Sequence, residues 1–167
     1  MGVWTTTPRT WVAGEVPTAT NFNENLRDLG RAFADAWTSY TPTLTASTTN
    51  PTNWTQTGYY MRAGKLVHVK GTLTAGASMT AGSGTYRIAL PANANTTLAN
   101  TICTSSVNIY DSSANIAWST PFIWIANAAY CQIQMGNGAA SVNITNAAPW
   151  TWAANDTIQF AFTYEAS

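Results

Sequence analysis

Between residues 156 and 164 the chain alternates: Ile158, Phe160, Phe162 and Tyr164 take every second position, separated by Gln159, Ala161 and Thr163. Side chains two apart share one face of a strand, so this segment reads as a strand whose apolar face needs a second layer to cover it. The same period recurs upstream. Val67 and Val69 alternate with Leu66, His68 and Lys70; Tyr86, Ile88 and Leu90 alternate with Arg87 and Ala89; Cys103, Val107 and Ile109 share a face, as do Trp118, Phe122 and Trp124. Further strands are expected at 39–46, 58–62, 129–135 and 140–145. Turn signals stand between them, at Ala63-Gly64, Ala81-Gly82-Ser83-Gly84, Asp111-Ser112-Ser113 and Gly136-Asn137-Gly138. About eight short strands without intervening helices predict a mainly β chain, an antiparallel β-sandwich of jelly-roll-like topology. Pro121, within its strand, points to an edge or a bulge.

A chain of 167 residues suits one such domain with a short appendage. Charged residues are only 8% of it, with Lys+Arg 7 against Asp+Glu 7, where an ordinary soluble chain carries about 25%. No basic stripe exists to neutralise a row of phosphates, so nucleic acid is not an expected partner. Hydrophobic residues reach 46%, with Trp 8, Tyr 7 and Phe 5, which supplies a core and argues against disorder. No apolar run approaches the length of a spanning helix, so membrane insertion is not expected, and the start lacks the basic and apolar stretches of a signal peptide. Synthesis and retention in a cytosol follow as the expectation. Cys103 and Cys131 sit in strand-like runs and read as buried free thiols.

Seven of the charged residues, Arg9, Glu15, Glu24, Arg27, Asp28, Arg31 and Asp35, precede Trp37, which marks residues 1–38 as an element separate from residues 39–167. Residues 1–17 place Trp4 and Trp11 among Thr, Pro8 and Gly14 with no helical period, and read as an extended arm. Val16-Pro17-Thr18-Ala19-Thr20-Asn21 then supplies a stop and candidate N-caps, so a helix is expected to start near residues 19–21. Along it Phe22, Leu26, Leu29, Phe33 and Trp37 form one apolar seam at spacings of four, three, four and four. A helix of about four turns is marginal alone. It packs either on its own β domain or in a parallel cluster with two identical chains. The second arrangement makes those five residues the interface of a homotrimer, and this is the oligomer expected.

Chemistry has little to work with after Trp37. That region holds one histidine, His68, and three carboxylates, Asp111, Asp156 and Glu165, far apart in sequence. Hydrolysis needs a base and a nucleophile or a second carboxylate within hydrogen-bond reach. A transition-metal site needs a His or Cys cluster, and Gly82-Ser83-Gly84 lacks the lysine and helix of a phosphate loop. The expectation is a protein without catalytic, cofactor or metal sites. Aromatic residues are the other means of recognition, because their faces stack on sugars and anchor interfaces. Trp54, Tyr59, Tyr60, Trp150 and Trp152 lie in or beside expected loops and are the candidates for contact with a glycan or a partner, with burial expected for most of them.

Trp11-Val12-Ala13-Gly14-Glu15-Val16-Pro17-Thr18-Ala19, then Asn23, Asn25, Arg27-Asp28 and Trp37-Thr38-Ser39-Tyr40-Thr41-Pro42, resemble small virion proteins of tailed phages that infect actinobacteria. Gly58-Tyr59-Tyr60, Gly64-Lys65, Gly84-Thr85-Tyr86-Arg87-Ile88-Ala89-Leu90-Pro91 and Thr163-Tyr164-Glu165-Ala166 extend the likeness over nearly the whole chain. Such proteins are described as capsid decoration, head fibre or minor tail proteins. The resemblance implies a structural protein of the phage particle, assembled in the host cytoplasm and attached by its N-terminal part, with a β knob facing outward. The arm, through Trp4 and Trp11, is then the anchor on the major capsid protein or another virion protein. Tail fibres need a repetitive shaft and no repeat separates helix from knob, so a capsid decoration protein or short head spike is favoured. The alternative is a minor tail or tail-tip protein whose knob binds host-surface glycans.

Overall fold

The computed structural model describes residues 12–16, 18–20, 22–23, 37–97, 103–136 and 141–167. Among them run eleven strands: β1 (Thr38–Tyr40), β2 (Leu44–Ala46), β3 (Thr52–Ala63), β4 (Leu66–Thr80), β5 (Tyr86–Ala89), β6 (Thr104–Asp111), β7 (Ile116–Trp118), β8 (Phe122–Asn127), β9 (Tyr130–Gly136), β10 (Ser141–Asn143) and β11 (Thr157–Glu165). Every ladder is antiparallel. The larger sheet has the order β1-β3-β4-β11-β6-β7; in the smaller one β9 carries β8 on one edge and β5 and β10 in tandem on the other, with β2 beyond β5. Hairpins β3–β4, β6–β7 and β8–β9–β10 stay within a sheet, and the chain crosses between sheets at the remaining connections. The result is a mainly β, antiparallel sandwich.

The alternating segments explain its core. Ile158, Phe160, Phe162 and Tyr164 are all buried, and register sets them beside Leu73, Gly71, Val69 and Val67 of β4 on one side. On the other side Ile158 and Phe160 meet Ile109 and Val107 of β6. Tyr86, Ile88, Cys131 and Ile133 close the core from the smaller sheet. Burying side chains of this size contributes roughly 1.5–3 kcal/mol each. The exposed edge of β2 is blunted by side chains: Leu44 N donates to Gln56 Oε1 at 3.3 Å and Ala46 N to Asn50 Oδ1 at 3.0 Å, which removes the free amides that invite a further strand.

Three expectations change. The segment 39–46 is two strands, β1 and β2, split around Pro42 and lying in different sheets. Residues 50–57, read as loop, are largely strand: β3 starts at Thr52 and pairs with β4 up to Thr80, with a bulge at Asn53, whose φ is 57° and whose Nδ2 donates to Ser78 O at 2.8 Å. Trp118, Phe122 and Trp124 do not share a buried face. Pro121 separates β7 from β8, the two belong to different sheets, and the buried side of β8 is Ile123 and Ile125. Residues 81–84 link β4 to β5 across the two sheets, with Ser83 bridging Thr49, and Gly82 is required there: φ is +65° and a Cβ would run into Thr49 O.

Of the expected helix, Ala19, Thr20, Phe22 and Asn23 are described and helical, with Phe22 N donating to Thr18 O at 3.0 Å. Phe22 is exposed. Leu26, Leu29 and Phe33, like the arm residues Trp4 and Trp11, lie outside the described residues. Trp37, read as the end of the seam, is non-helical and rests on the outer face of the larger sheet, its ring 5.4 Å from that of His68 and its centroid 4.1 Å from Lys70 Nζ. Among the described residues no helix is long and apolar enough to cross a membrane.

Candidate ligand-binding face

The five loop-side aromatics separate into two groups. Trp54 and Trp152 are buried, with ring centroids 5.5 Å apart, and Tyr86 lies 6.2 Å from Trp54 and 5.8 Å from Trp152. Trp150 is half-buried against Trp152 at 5.5 Å and carries the exposed Trp118 at 6.1 Å. These rings run from the surface into one end of the core. Trp152 Nε1 donates to Thr145 O at 2.8 Å and Tyr86 OH to Ala81 O at 2.8 Å, so the polar tips also serve the fold. Tyr60 is half-buried on the inner side of β3, edge-on to Tyr40 at 5.8 Å. Tyr59 alone of the five is exposed, on the outer side, because neighbouring residues of a strand point to opposite faces.

Register arranges the outer face of the larger sheet in rungs that cross four strands. One rung is Thr57, Thr72, Gln159 and Asn108; the next is Tyr59, Lys70, Ala161 and Ser106. Strand spacing makes each rung about 14 Å wide, and the two rungs lie about 7 Å apart. Together they line an open depression with a cavity volume of about 570 Å³, to which Gly71 and Phe160 also contribute. The small Ala161, between Lys70 and Ser106, leaves room for it. The amides and hydroxyls of this face make no hydrogen bonds to other described residues, and Lys70 is the single charged side chain among the described residues of the lining. The Lys70 ammonium is held between the Trp37 ring and the Tyr59 ring, whose centroid is 6.0 Å away. A third rung adds His68, whose Nδ1 lies 2.7 Å from Thr163 Oγ1. Such a surface can bind by stacking and hydrogen bonding.

Sequence reasoning picked out Tyr59 but not its neighbours. Thr57, Thr72, Ser106, Asn108 and Gln159 are each ordinary strand residues, and only the order of β3, β4, β11 and β6 unites them. The titratable groups elsewhere serve structure. Asp111 Oδ1 accepts from Ser113 Oγ at 2.7 Å, Ser113 N at 2.9 Å and Ala114 N at 3.0 Å. The Ser113 hydroxyl first, then the two amides, hold this carboxyl below its usual range. Asp156 is fully buried. Its Oδ1 accepts from Ser112 N at 2.9 Å and Ser112 Oγ at 3.2 Å, its Oδ2 from Trp150 Nε1 at 3.1 Å and Ala153 N at 2.8 Å. Cys103 and Cys131 are buried free thiols; burial pushes Cys103 up to about 11 and raises Cys131 as well, so neither is a ready nucleophile. Among the described residues no three His, Cys, Asp or Glu side chains come together to hold a metal. No protein-family model matches the chain, and neither a curated protein nor a solved structure does.

Proposed function

We propose that this chain is a structural, non-enzymatic protein of a tailed-phage particle, a trimeric capsid decoration protein or short head spike that displays the sandwich outward. The observation that supports it is the use made of the aromatics. Trp54 and Trp152 are buried, and Trp150 and Tyr60 are half-buried against the core, so four of the five candidate contact residues stabilise the sandwich instead of forming an adhesive platform. Attachment belongs in this reading to residues 1–38, with Trp4 and Trp11 as anchor contacts and Phe22, Leu26, Leu29 and Phe33 as the seam between three copies. Immunogold labelling of intact particles tests the location, with labelled capsids expected, and light scattering of the full-length protein tests the trimer. A monomeric mass at micromolar concentration refutes the oligomer, and label confined to tail tips refutes the decoration role.

A second reading is favoured by one feature. The open face around Tyr59 suits a tail-tip or head protein that also contacts host-surface glycans, with many copies supplying avidity. Particles lacking the protein separate the two: loss of host adsorption with unchanged heat resistance supports the second.

A further inference from the structure

We infer that the depression on the outer face of the larger sheet is a binding site for an oligosaccharide carrying uronic-acid units. This deepens the second reading above and depends on it only for biological use, since the site itself is argued from its own side chains. Three features select the ligand class. The hydroxyls and amides of Thr72, Asn108, Ser106 and Gln159 both donate and accept, are not spent on other described residues, and stand in rungs over four strands. That pattern complements neighbouring sugar hydroxyls, which also donate and accept. Tyr59 offers an exposed ring beside them for the C–H face of a pyranose.

The charge then narrows the class. Lys70 is exposed, and among the described residues of the lining there is no carboxylate to neutralise it. Its two aromatic neighbours fix its position while leaving the ammonium able to donate. One ammonium matches one carboxylate per bound unit. It does not match the phosphate rows of a nucleic acid, whose binding depends on several cations. A peptide strand is poorly served as well, because strands add to a sheet at its edge and this is a face.

The test uses the full-length protein, titrated by calorimetry and by amide chemical shifts with tetragalacturonate and, separately, with maltotetraose. Tetragalacturonate is expected to bind more tightly, to weaken as salt is added, and to shift amides of β3, β4, β6 and β11. Lys70→Gln is expected to lower its affinity about tenfold, the loss of one charge-assisted hydrogen bond, and to abolish the preference over maltotetraose. Tyr59→Ala and Gln159→Ala should weaken both sugars. These side chains are exposed, and an unchanged melting temperature verifies each fold. The inference is overturned if neither sugar binds, if the shifts map away from these four strands, or if Lys70→Gln leaves the preference intact. It is also overturned if free sulfate binds as tightly as the tetramer, because then the ammonium alone is the site. Each of these results leaves immunogold location untouched, so failure of the groove and failure of the virion assignment are told apart.

Discussion

Replacing Asp156 by Asn changes one oxygen to an amide at a fully buried site where four donors converge. The carboxylate joins two segments: Ser112 in the turn after β6, and the segment that leads into β11, which carries Trp150, Ala153 and Asp156 itself. An asparagine can present its oxygen to only one pair of donors. Its NH₂ then faces the other pair, at least cost Ser112, whose Oγ can accept from it while donating to Ala154 O at 3.0 Å, and the bond from Ser112 N is lost. Hydrogen bonds to a charged acceptor contribute about 1.5–3 kcal/mol each and neutral ones about half that, so one bond lost and two weakened set an upper range of about 3–6 kcal/mol. Asparagine also relieves the cost of keeping a charge out of water, so the net loss expected for Asp156→Asn is about 2–4 kcal/mol. That is a large share of the roughly 5–15 kcal/mol that holds a domain together. Urea unfolding followed by tryptophan fluorescence measures it, with Ser112→Ala as the partner variant. The latter removes one neutral hydroxyl donor and should cost only about 1 kcal/mol. If Asp156→Asn unfolds within about 0.5 kcal/mol of the parent at unchanged denaturant slope, the carboxylate is not the joint described and the reasoning fails.

Two further outcomes follow from the same geometry. Gly71→Ala places a Cβ 2.5 Å from Phe160 Cζ and 3.0 Å from Thr57 O, so the ring must move within a filled core; thermal melting should show a loss of about 1–3 kcal/mol, and an unchanged melting temperature contradicts that packing. Asp111 has a folded-state pKa below its unfolded value, so its contribution to the β6–β7 turn is present above the usual carboxylate range and is lost as pH falls through the depressed folded value. The amide signals of Ser113 and Ala114 should report that loss in an acid titration, and Asp111→Asn should abolish the pH response.

The sandwich was legible wherever a strand had one apolar side and one polar side. β11 and β4 meet that condition, and their buried sets are Ile158, Phe160, Phe162 and Tyr164 with Val67 and Val69. β8 does not: Phe122 and Trp124 alternate with Ile123 and Ile125, both faces are apolar, and residue size points to the wrong one. Burial of the smaller pair follows from cross-sheet packing, where Ile123 N donates to Ser105 Oγ at 3.0 Å and Cys103 N to Ile123 O at 3.3 Å. Trp54 was misplaced for a similar reason. The Asn-Pro-Thr-Asn run reads as loop, and only pairing with the long β4 draws it into the sheet. The binding face was legible only at Tyr59, because its remaining members are far apart in sequence and unremarkable individually. Asp156 gave no local signal either, since its donors come from residues 112, 150 and 153.

β11, last of the strands in chain order, lies between β4 and β6. Until it is in place, the β1-β3-β4 portion and the β6-β7 portion of the larger sheet share no backbone ladder. During synthesis, therefore, the ten other strands of the described residues emerge before the one that joins them, and the facing backbone edges of β4 and β6 wait unpaired for residues 157–165. Pairing at such sequence separation is slow, on the order of milliseconds to seconds, and exposes intermediates to aggregation. The centre of the larger sheet thus depends on residues 157–165, and a chain truncated before them lacks the ladders that join its two portions.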